Sequence, residues 1–249
     1  MKKQRIDILL ANSGLVESRN KAQRLVMAGE VKADGQLVHK SSELFDPSCH
    51  IAIKSKPKYV SRGGLKLENA IAEFKISDIA GKICVDIGAS TGGFTDCLLQ
   101  NGAEKVYAVD VGYGQLHQSL RKNPKVIKME RVNIKNVKGF PETIELVTID
   151  VSFISLRRIF PIVKKWCKQK EVRVIALIKP QFEVGRKIAA KGKGVIRSDN
   201  DRQKVVKDIL STAREEGFNV LGVVESPIKG PKGNVEFLTY LVFDPLKCE

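Results

Sequence analysis

The sequence predicts an α/β protein: a doubly wound sheet with helices on both faces, preceded by a small basic N-terminal domain. Three observations lead there. Beyond residue 65, short runs rich in Val and Ile alternate with helical stretches, the pattern of a layered α/β domain. A glycine loop, Gly88 to Gly93, lies between the first of these runs and a helix, where such folds take ligands. Residues 1–58 have a different texture, with 11 Lys or Arg against 6 acidic residues and a net charge of +5.

Composition narrows the function classes. The 249 residues accommodate one large domain or two unequal ones, and the 43% hydrophobic content supplies a core. Across the chain 43 basic residues oppose 28 acidic ones, a formal charge of +15. That excess favours a polyanionic partner, either nucleic acid or an anionic membrane surface. The longest unbroken apolar run, Val174–Ile178, falls far short of a bilayer span, so no segment is expected to cross a membrane. Met1-Lys2-Lys3-Gln4-Arg5 has the charge of a signal peptide's start, but Asp7 and Asn12 interrupt the apolar stretch behind it. No export signal is read, and a cytoplasmic location is expected. The five cysteines are widely spaced with no Cys-x-x-Cys pair, and the three histidines are scattered. Neither a disulfide framework nor a metal site is predicted, and a reducing compartment fits.

In the N-terminal domain, Ile6, Leu9 and Leu10 recur at helical spacing until Asn12-Ser13-Gly14 ends the helix. Ser18 caps a second helix, Arg19 to Ala28, with Ala22, Leu25 and Val26 as its apolar stripe and Gly29 as its stop. Val31 starts a strand, and Asp34-Gly35 signals a hairpin turn before Leu37 and Val38. The string from Ser18-Arg19-Asn20-Lys21 through Gly29-x-Val31 to Asp34-Gly35 resembles the core of an S4 RNA-binding domain. By that resemblance Arg19, Lys21, Arg24 and Lys32 face structured RNA, gripping phosphates and shape rather than reading sequence.

Residues 59–64, after Pro57 and ending in Gly63-Gly64, are expected to link this domain to a second one spanning 65–249. There the strand runs are Ile83–Ile87, Val106–Val109, Val126–Met129, Ile144–Ile149, Val172–Ile178, Val220–Val224 and Phe237–Phe243. Helices are expected over Gly93–Gln100, Leu156–Lys168 and Arg202–Glu216, the last carrying Val205, Val206, Ile209, Leu210 and Ala213 on one face.

The loop Val85-Asp86-Ile87-Gly88-Ala89-Ser90-Thr91-Gly92-Gly93-Phe94-Thr95 lets a ligand approach the backbone at a helix start. Ser90 stands where the dinucleotide pattern Gly-x-Gly-x-x-Gly has its second glycine, and no Gly-Lys-Ser/Thr follows, which argues against NAD, ATP and GTP. Asp110 ends the next strand, where a carboxylate can accept hydrogen bonds from both ribose hydroxyls. A nucleoside-containing ligand is indicated. The loop resembles motif I of Rossmann-like S-adenosylmethionine (SAM) methyltransferases. The resemblance places Asp86, Gly88, Ala89, Ser90, Thr91, Gly92 and Phe94 around the cofactor, Asp110 on its ribose and Asn133 beside its adenine.

Four further polar residues stand at strand ends or on the helix leading into the sheet. Asp150 and Lys179 end the fourth and fifth strands, Glu236 opens the last, and Lys66 lies in Ser61-Arg62-Gly63-Gly64-Leu65-Lys66. In this order and context they resemble the Lys-Asp-Lys-Glu tetrad of FtsJ-type RNA ribose 2′-O-methyltransferases. A ribose hydroxyl must lose its proton as the methyl transfers, and an amine can accept it when desolvation and a neighbouring cation favour its neutral form. Lys179 is the expected base and Lys66 the neighbouring cation, with Asp150 and Glu236 orienting lysines and hydroxyl.

Over nearly the whole chain, with Asp-Val-Ser-Phe, Ile-Lys-Pro-Gln-Phe-Glu and Lys-Gly-x-x-Gly-Asn-x-Glu as distinctive strings, the sequence is similar to the TlyA (haemolysin A) family. FtsJ proper has Gly-Ala-Ala-Pro-Gly-Gly, whereas Thr91 replaces the proline here. The resemblance implies SAM-dependent 2′-O-methylation of cytidine in ribosomal RNA or ribosomal subunits. Three rivals are weaker. A membrane-active haemolysin needs apolar or amphipathic membrane segments. An amine methyltransferase would carry Asn/Asp-Pro-Pro-Tyr/Phe where this chain has Asp150-Val151-Ser152-Phe153, and a carbon methyltransferase would carry a cysteine there. A non-catalytic RNA-binding assembly factor has no need of an intact tetrad and glycine loop. The modified nucleotide and the oligomeric state are not legible in the sequence.

Overall fold

The computed structural model describes residues 3–16, 18–54, 57–166, 170–184 and 194–247. The chain divides into two compact units, Met1–Pro57 and Lys58–Glu249.

In the first unit the elements run β1 (Gln4–Arg5), α1 (Ile6–Asn12), α2 (Arg19–Met27), β2 (Val31–Ala33), β3 (Gln36–Leu37), β4 (Leu44–Phe45) and β5 (Ile51–Ile53). The expected Ser18 cap forms, its side chain accepting from Lys21 N at 3.2 Å. Asp34 (φ 49°) and Gly35 (φ 82°) turn the hairpin between β2 and β3, both in the left-handed region as a type I′ turn requires. β5 completes a three-stranded sheet by pairing with β2, and β1 pairs with β4. Ile6 and Leu10 of α1 and Ala22 and Val26 of α2 close a small core over Val31 and Ala33.

One charge sits inside this core. The Asp7 side chain is fully buried, and it accepts from Arg5 Nε (3.1 Å), Arg19 Nε (3.0 Å) and Gln23 Nε2 (2.9 Å). Arg5 above all, with Gln23 and Arg19, holds its carboxyl well below the usual carboxylate range against the opposing effect of burial. A depressed acid stabilises the fold above its unfolded pKa and loses that contribution as pH falls below it.

The second unit contains α3 (Gly63–Glu73), β6 (Ile83–Ile87), α4 (Gly93–Gln100), β7 (Lys105–Val109), α5 (Gln118–Arg121), β8 (Val126–Met129), β9 (Leu146–Ile149), α6 (Phe160–Trp166), β10 (Val172–Ile178), α7 (Pro180–Glu183), α8 (Asp199–Glu215), β11 (Phe218–Glu225) and β12 (Phe237–Phe243). The seven strands form one sheet in the order β11-β12-β10-β9-β6-β7-β8. The five from β6 to β10 are parallel, and β12 lies antiparallel between β10 and β11. Alternate residues of β10 serve opposite layers. Val174, Ala176 and Ile178 pack with Phe160, Val163, Val206 and Ile209, while Ile175 and Leu177 pack with Leu67, Phe94 and Leu98.

Two expectations are corrected. Residues 59–64 are not a free linker, because Tyr59 and Val60 are apolar enough to be drawn inward. Tyr59 is buried, Val60 N donates to Asp96 Oδ2 at 2.8 Å, and a Cβ on Gly64 would meet the Tyr59 side chain at 2.2 Å. The helix expected over Leu156–Lys168 is broken. A 3₁₀ turn, Leu156–Arg158, capped by Ser155, precedes α6, and Lys168 lies outside the described residues. Cys167 and Cys248 also lie outside them, whereas Cys49, Cys84 and Cys97 are free thiols.

Replacing Asp7 by Asn is expected to cost the N-terminal unit about 3 kcal/mol, since two arginines lose a buried partner. Hydrogen exchange of the α1 and α2 amides checks it. Wild-type protection should decline below roughly pH 4, whereas the variant should start lower and lack that decline.

Candidate active site

At the carboxyl ends of β6, β7 and β9 lie two cavities that share Gly88, Ser90, Asp150 and Ser152 as walls. The larger, about 440 Å³, is bounded by Asp110, Val111, Gln115, Asn133 and Phe153. The smaller, about 290 Å³, is bounded by Arg62, Lys66, Thr91, Phe94, Lys179 and Gly230.

The glycine loop is shaped by close approach. Gly88 has φ +83°, and a Cβ there would stand 2.6 Å from the Asp150 carbonyl oxygen, so only glycine lets the loop touch the end of β9. Ser90 is also left-handed (φ 47°), which turns its N–H onto Asp110 Oδ2 at 2.8 Å. Gly112 N donates to Asp110 Oδ1 at 2.7 Å. The carboxylate is thus fixed by two amides and keeps lone pairs for two further donors, as a ribose diol requires. Ala89 turns its methyl onto Ala108, Leu116 and Leu120, and Phe94 is buried beneath the smaller cavity. Gly92 (φ +98°) precedes α4, with no space for a Cβ against Leu120. Asn133 lines the larger cavity while its Oδ1 accepts from Lys135 N at 3.1 Å.

Asp86 does not belong with these residues. Its side chain points away from the cavities into the sheet–α4 layer, where it is wholly buried and accepts from Thr95 Oγ1 (2.6 Å) and Thr148 Oγ1 (3.0 Å). The expected cofactor contact is replaced by a brace that fixes the start of α4. Burial pushes its carboxyl up to about 6, against the two threonine hydrogen bonds.

The four tetrad residues are brought together as two ion pairs. Lys179 Nζ stands 2.5 Å from Asp150 Oδ1 and donates to Ser152 Oγ at 3.1 Å. The contact with Asp150 is an ion pair made on a buried carboxylate oxygen. Lys66 Nζ donates to Glu236 Oε2 at 2.5 Å. Each lysine therefore has a carboxylate as its close charge, and both lysines line the smaller cavity. The antiparallel register explains how Glu236 arrives. Ile178 pairs with Phe237, so Glu236, just before β12, is brought to the same edge as Lys179, just after β10.

Three supports escaped the sequence reading. Ser152 and Gln181 each follow a tetrad member by two residues, in the strings already singled out. Glu183 accepts from Ser155 Oγ (2.5 Å) and Leu156 N (2.8 Å), tying the loop after Asp150 to the turn after Lys179.

In the N-terminal unit, Arg24 and Lys32 are exposed and Lys21 is half-buried. Lys32 faces outward between buried Val31 and Ala33. Arg19 was expected to face RNA, but its Nε is bound to Asp7, so part of its charge serves the fold. Among the described residues, no helix is long and apolar enough to cross a membrane, and no group of His, Cys, Asp or Glu is placed to hold a metal ion.

Residues 59–243 match the family described as FtsJ-like methyltransferase, and residues 4–48 match the S4 domain. The chain is 44% identical over 241 residues to hemolysin A of Brachyspira hyodysenteriae, covering 96% of this chain and 99% of that protein. It is 40% identical over 243 residues to the 16S/23S rRNA (cytidine-2'-O)-methyltransferase TlyA of Mycobacterium tuberculosis, covering 95% and 89%. A solved structure from Streptococcus thermophilus superposes with a TM-score of 0.72 at 44% identity, covering 98% of this chain and 90% of that one. Fold and site thus define a methyltransferase of the SAM-dependent, FtsJ-like class, carrying an S4 domain ahead of it. Within that class the chain belongs to the TlyA/hemolysin A family.

The environment of Asp86 makes a pH-dependent prediction. An acid whose folded pKa is raised stabilises fully below its unfolded pKa, near 4, and loses that contribution as pH rises through about 6. Denaturant titrations of wild type and Asp86→Asn from pH 4 to 7 should diverge on the order of 3 kcal/mol in the variant's favour as pH rises. Parallel curves would mean that the buried carboxyl does not titrate.

Proposed function

We propose that the protein transfers a methyl group from SAM to a ribose 2′-hydroxyl in ribosomal RNA, at cytidine. The observation that carries this reading is the two lysine–carboxylate pairs standing at a cavity that shares walls with a nucleoside-sized one. The larger cavity fits the cofactor's adenosine. Asp110 offers a fixed carboxylate to the ribose, Val111 and Val132 offer apolar walls to the ring, and Asn133 stands at that end. Bound there, SAM supplies a methyl already activated by its sulfonium. The residues of the chain need only present an oxygen and remove its proton.

Asp150, a wall of both cavities with a partly exposed carboxylate, can accept from the incoming hydroxyl and aim it. Lys179 is the group placed to take the proton as the methyl passes from the sulfonium sulfur to the oxygen. Ser152 holds the lysine's direction. Lys66, anchored on Glu236, faces the same cavity and offers a positive charge to the developing alkoxide. The S4 unit supplies the grip on structured RNA through Lys21, Arg24 and Lys32. Among the described residues no helix is long and apolar enough to cross a membrane, whereas the charge pairs at the cavity suit proton removal from a hydroxyl.

Incorporation of labelled methyl from SAM into purified ribosomal RNA and subunits tests the reading. Lys179→Arg keeps the charge but cannot accept a proton near neutral pH, so it should bind SAM and RNA normally with no turnover. Glu236→Gln should retain part of the rate. Asp110→Ala should weaken SAM binding by on the order of 1–3 kcal/mol in calorimetry, because the diol loses a charged acceptor. Activity of Lys179→Arg near the wild-type rate would remove the lysine from the proton path.

Replacing Lys21, Arg24 and Lys32 together should weaken RNA binding uniformly and reduce its salt slope by about 2–3, one released counterion per phosphate contact. Filter binding over a salt series checks this. An unchanged slope would show that these cations are merely solvated.

A further inference from the structure

Glu236 is fully buried and stands behind Lys66 rather than on the cavity wall. Such a carboxylate influences the reaction only through the groups that hold it and the one it holds. Its Oε2 accepts from Lys66, and its Oε1 accepts from Gln181 Nε2 at 3.1 Å. On the same side Gly230 leaves no slack, since a Cβ there would stand 2.0 Å from Oε1. Gly230 is fixed in turn, its N–H donating to Asn234 O at 2.8 Å. Asn234 is buried, and it donates to Gly194 O and Pro231 O while accepting from Ile196 N.

Gln181 sits here at a cost. Its Oε1 is buried and has no hydrogen-bond partner among the described residues. Turning the amide over would set that oxygen against the Glu236 carboxylate, so the observed orientation is the one electrostatics allows. An apolar side chain of similar volume would fill the space without an orphaned oxygen. The polar return for the amide is its bond to Glu236. Gln181 also lies in α7, the turn that begins directly after Lys179, so one short element serves both ion pairs.

We propose that Gln181 and Gly230 are positioning residues that fix the Glu236 carboxylate and, through it, the Lys66 ammonium at the reacting cavity. The inference rests on the reading of that cavity as the site of ribose methylation. Gln181 donates the hydrogen bond that selects one carboxylate rotamer. Gly230 is the wall that excludes the others.

The test uses the full chain with SAM and ribosomal RNA, measuring single-turnover rates from pH 5.5 to 8.5, SAM affinity and melting temperature. Gln181→Met, equal in shape but unable to donate, should lose about tenfold in rate at unchanged SAM affinity and melting temperature. Gln181→Glu gives the readout that a merely structural role would not move. Protonated, the new carboxyl can donate to Glu236; ionised, it repels it. The ratio of the Gln181→Glu rate to the wild-type rate should therefore fall at least about tenfold from the lowest to the highest pH. Gly230→Ala should reduce the rate without weakening SAM binding. A pH-independent ratio, or a wild-type rate for Gln181→Met, overturns the inference while leaving the proposed function standing. If Gln181→Glu fails to fold, Gln181→Met decides the matter. Absence of wild-type ribose methylation overturns the functional reading, and this inference with it.

Discussion

A carboxylate with no access to water needs a cation, and Glu236 finds it in Lys66. Much of the site depends on that requirement. Lys66 comes from α3 and Glu236 from the start of β12, so the pair ties a helix near the beginning of the unit to its last strand. The antiparallel course of β12 makes this possible, because it brings the beginning of that strand to the edge where the parallel strands end. Lys179 and Asp150 then form a second pair at the ends of β10 and β9. Two carboxylates and two ammonium groups share one edge of the sheet with little uncompensated charge, and the amines remain accessible to a substrate.

The cofactor loop follows the same economy of space. Gly88 touches the backbone of Asp150, so the loop that shapes the larger cavity also touches a residue of the smaller one. Displacing either side by a methyl group would move both. Asp86 braces the loop from below, and Asp110 is held by two amides, so the cavity walls are set before any ligand enters. The N-terminal unit has its own buried charge in Asp7, whose donors come from both sides of the turn between α1 and α2.

The larger architecture was legible because its strands are short, Val- and Ile-rich and bounded by glycine or acidic residues. Ile83–Ile87, Val126–Met129, Val172–Ile178 and Phe237–Phe243 fall where the pattern places them. Strands of two or three residues, such as β1, β4 and β5, carry too little periodicity to be read. The site was legible as a set of residue types at strand ends, while its pairing was not. Sequence order cannot show that Lys179 faces Asp150 and Lys66 faces Glu236, nor that Arg19 is drawn to a buried Asp7. Asp86 misled because a strand-end carboxylate can point to either layer, and here two threonines capture it. Ser152 and Gln181 were hidden because uncharged polar residues near a charged one carry no signal of their own.

The central claim is that these charge pairs act on a ribose oxygen, and the chemical position of the transferred methyl tests it most directly. Ribosomal RNA treated with the protein and isotopically labelled SAM, digested to nucleosides and resolved by mass spectrometry, locates the label. The account predicts labelled 2′-O-methylcytidine, with the label lost on cleavage to the free base. Label retained on a base nitrogen or carbon would contradict it.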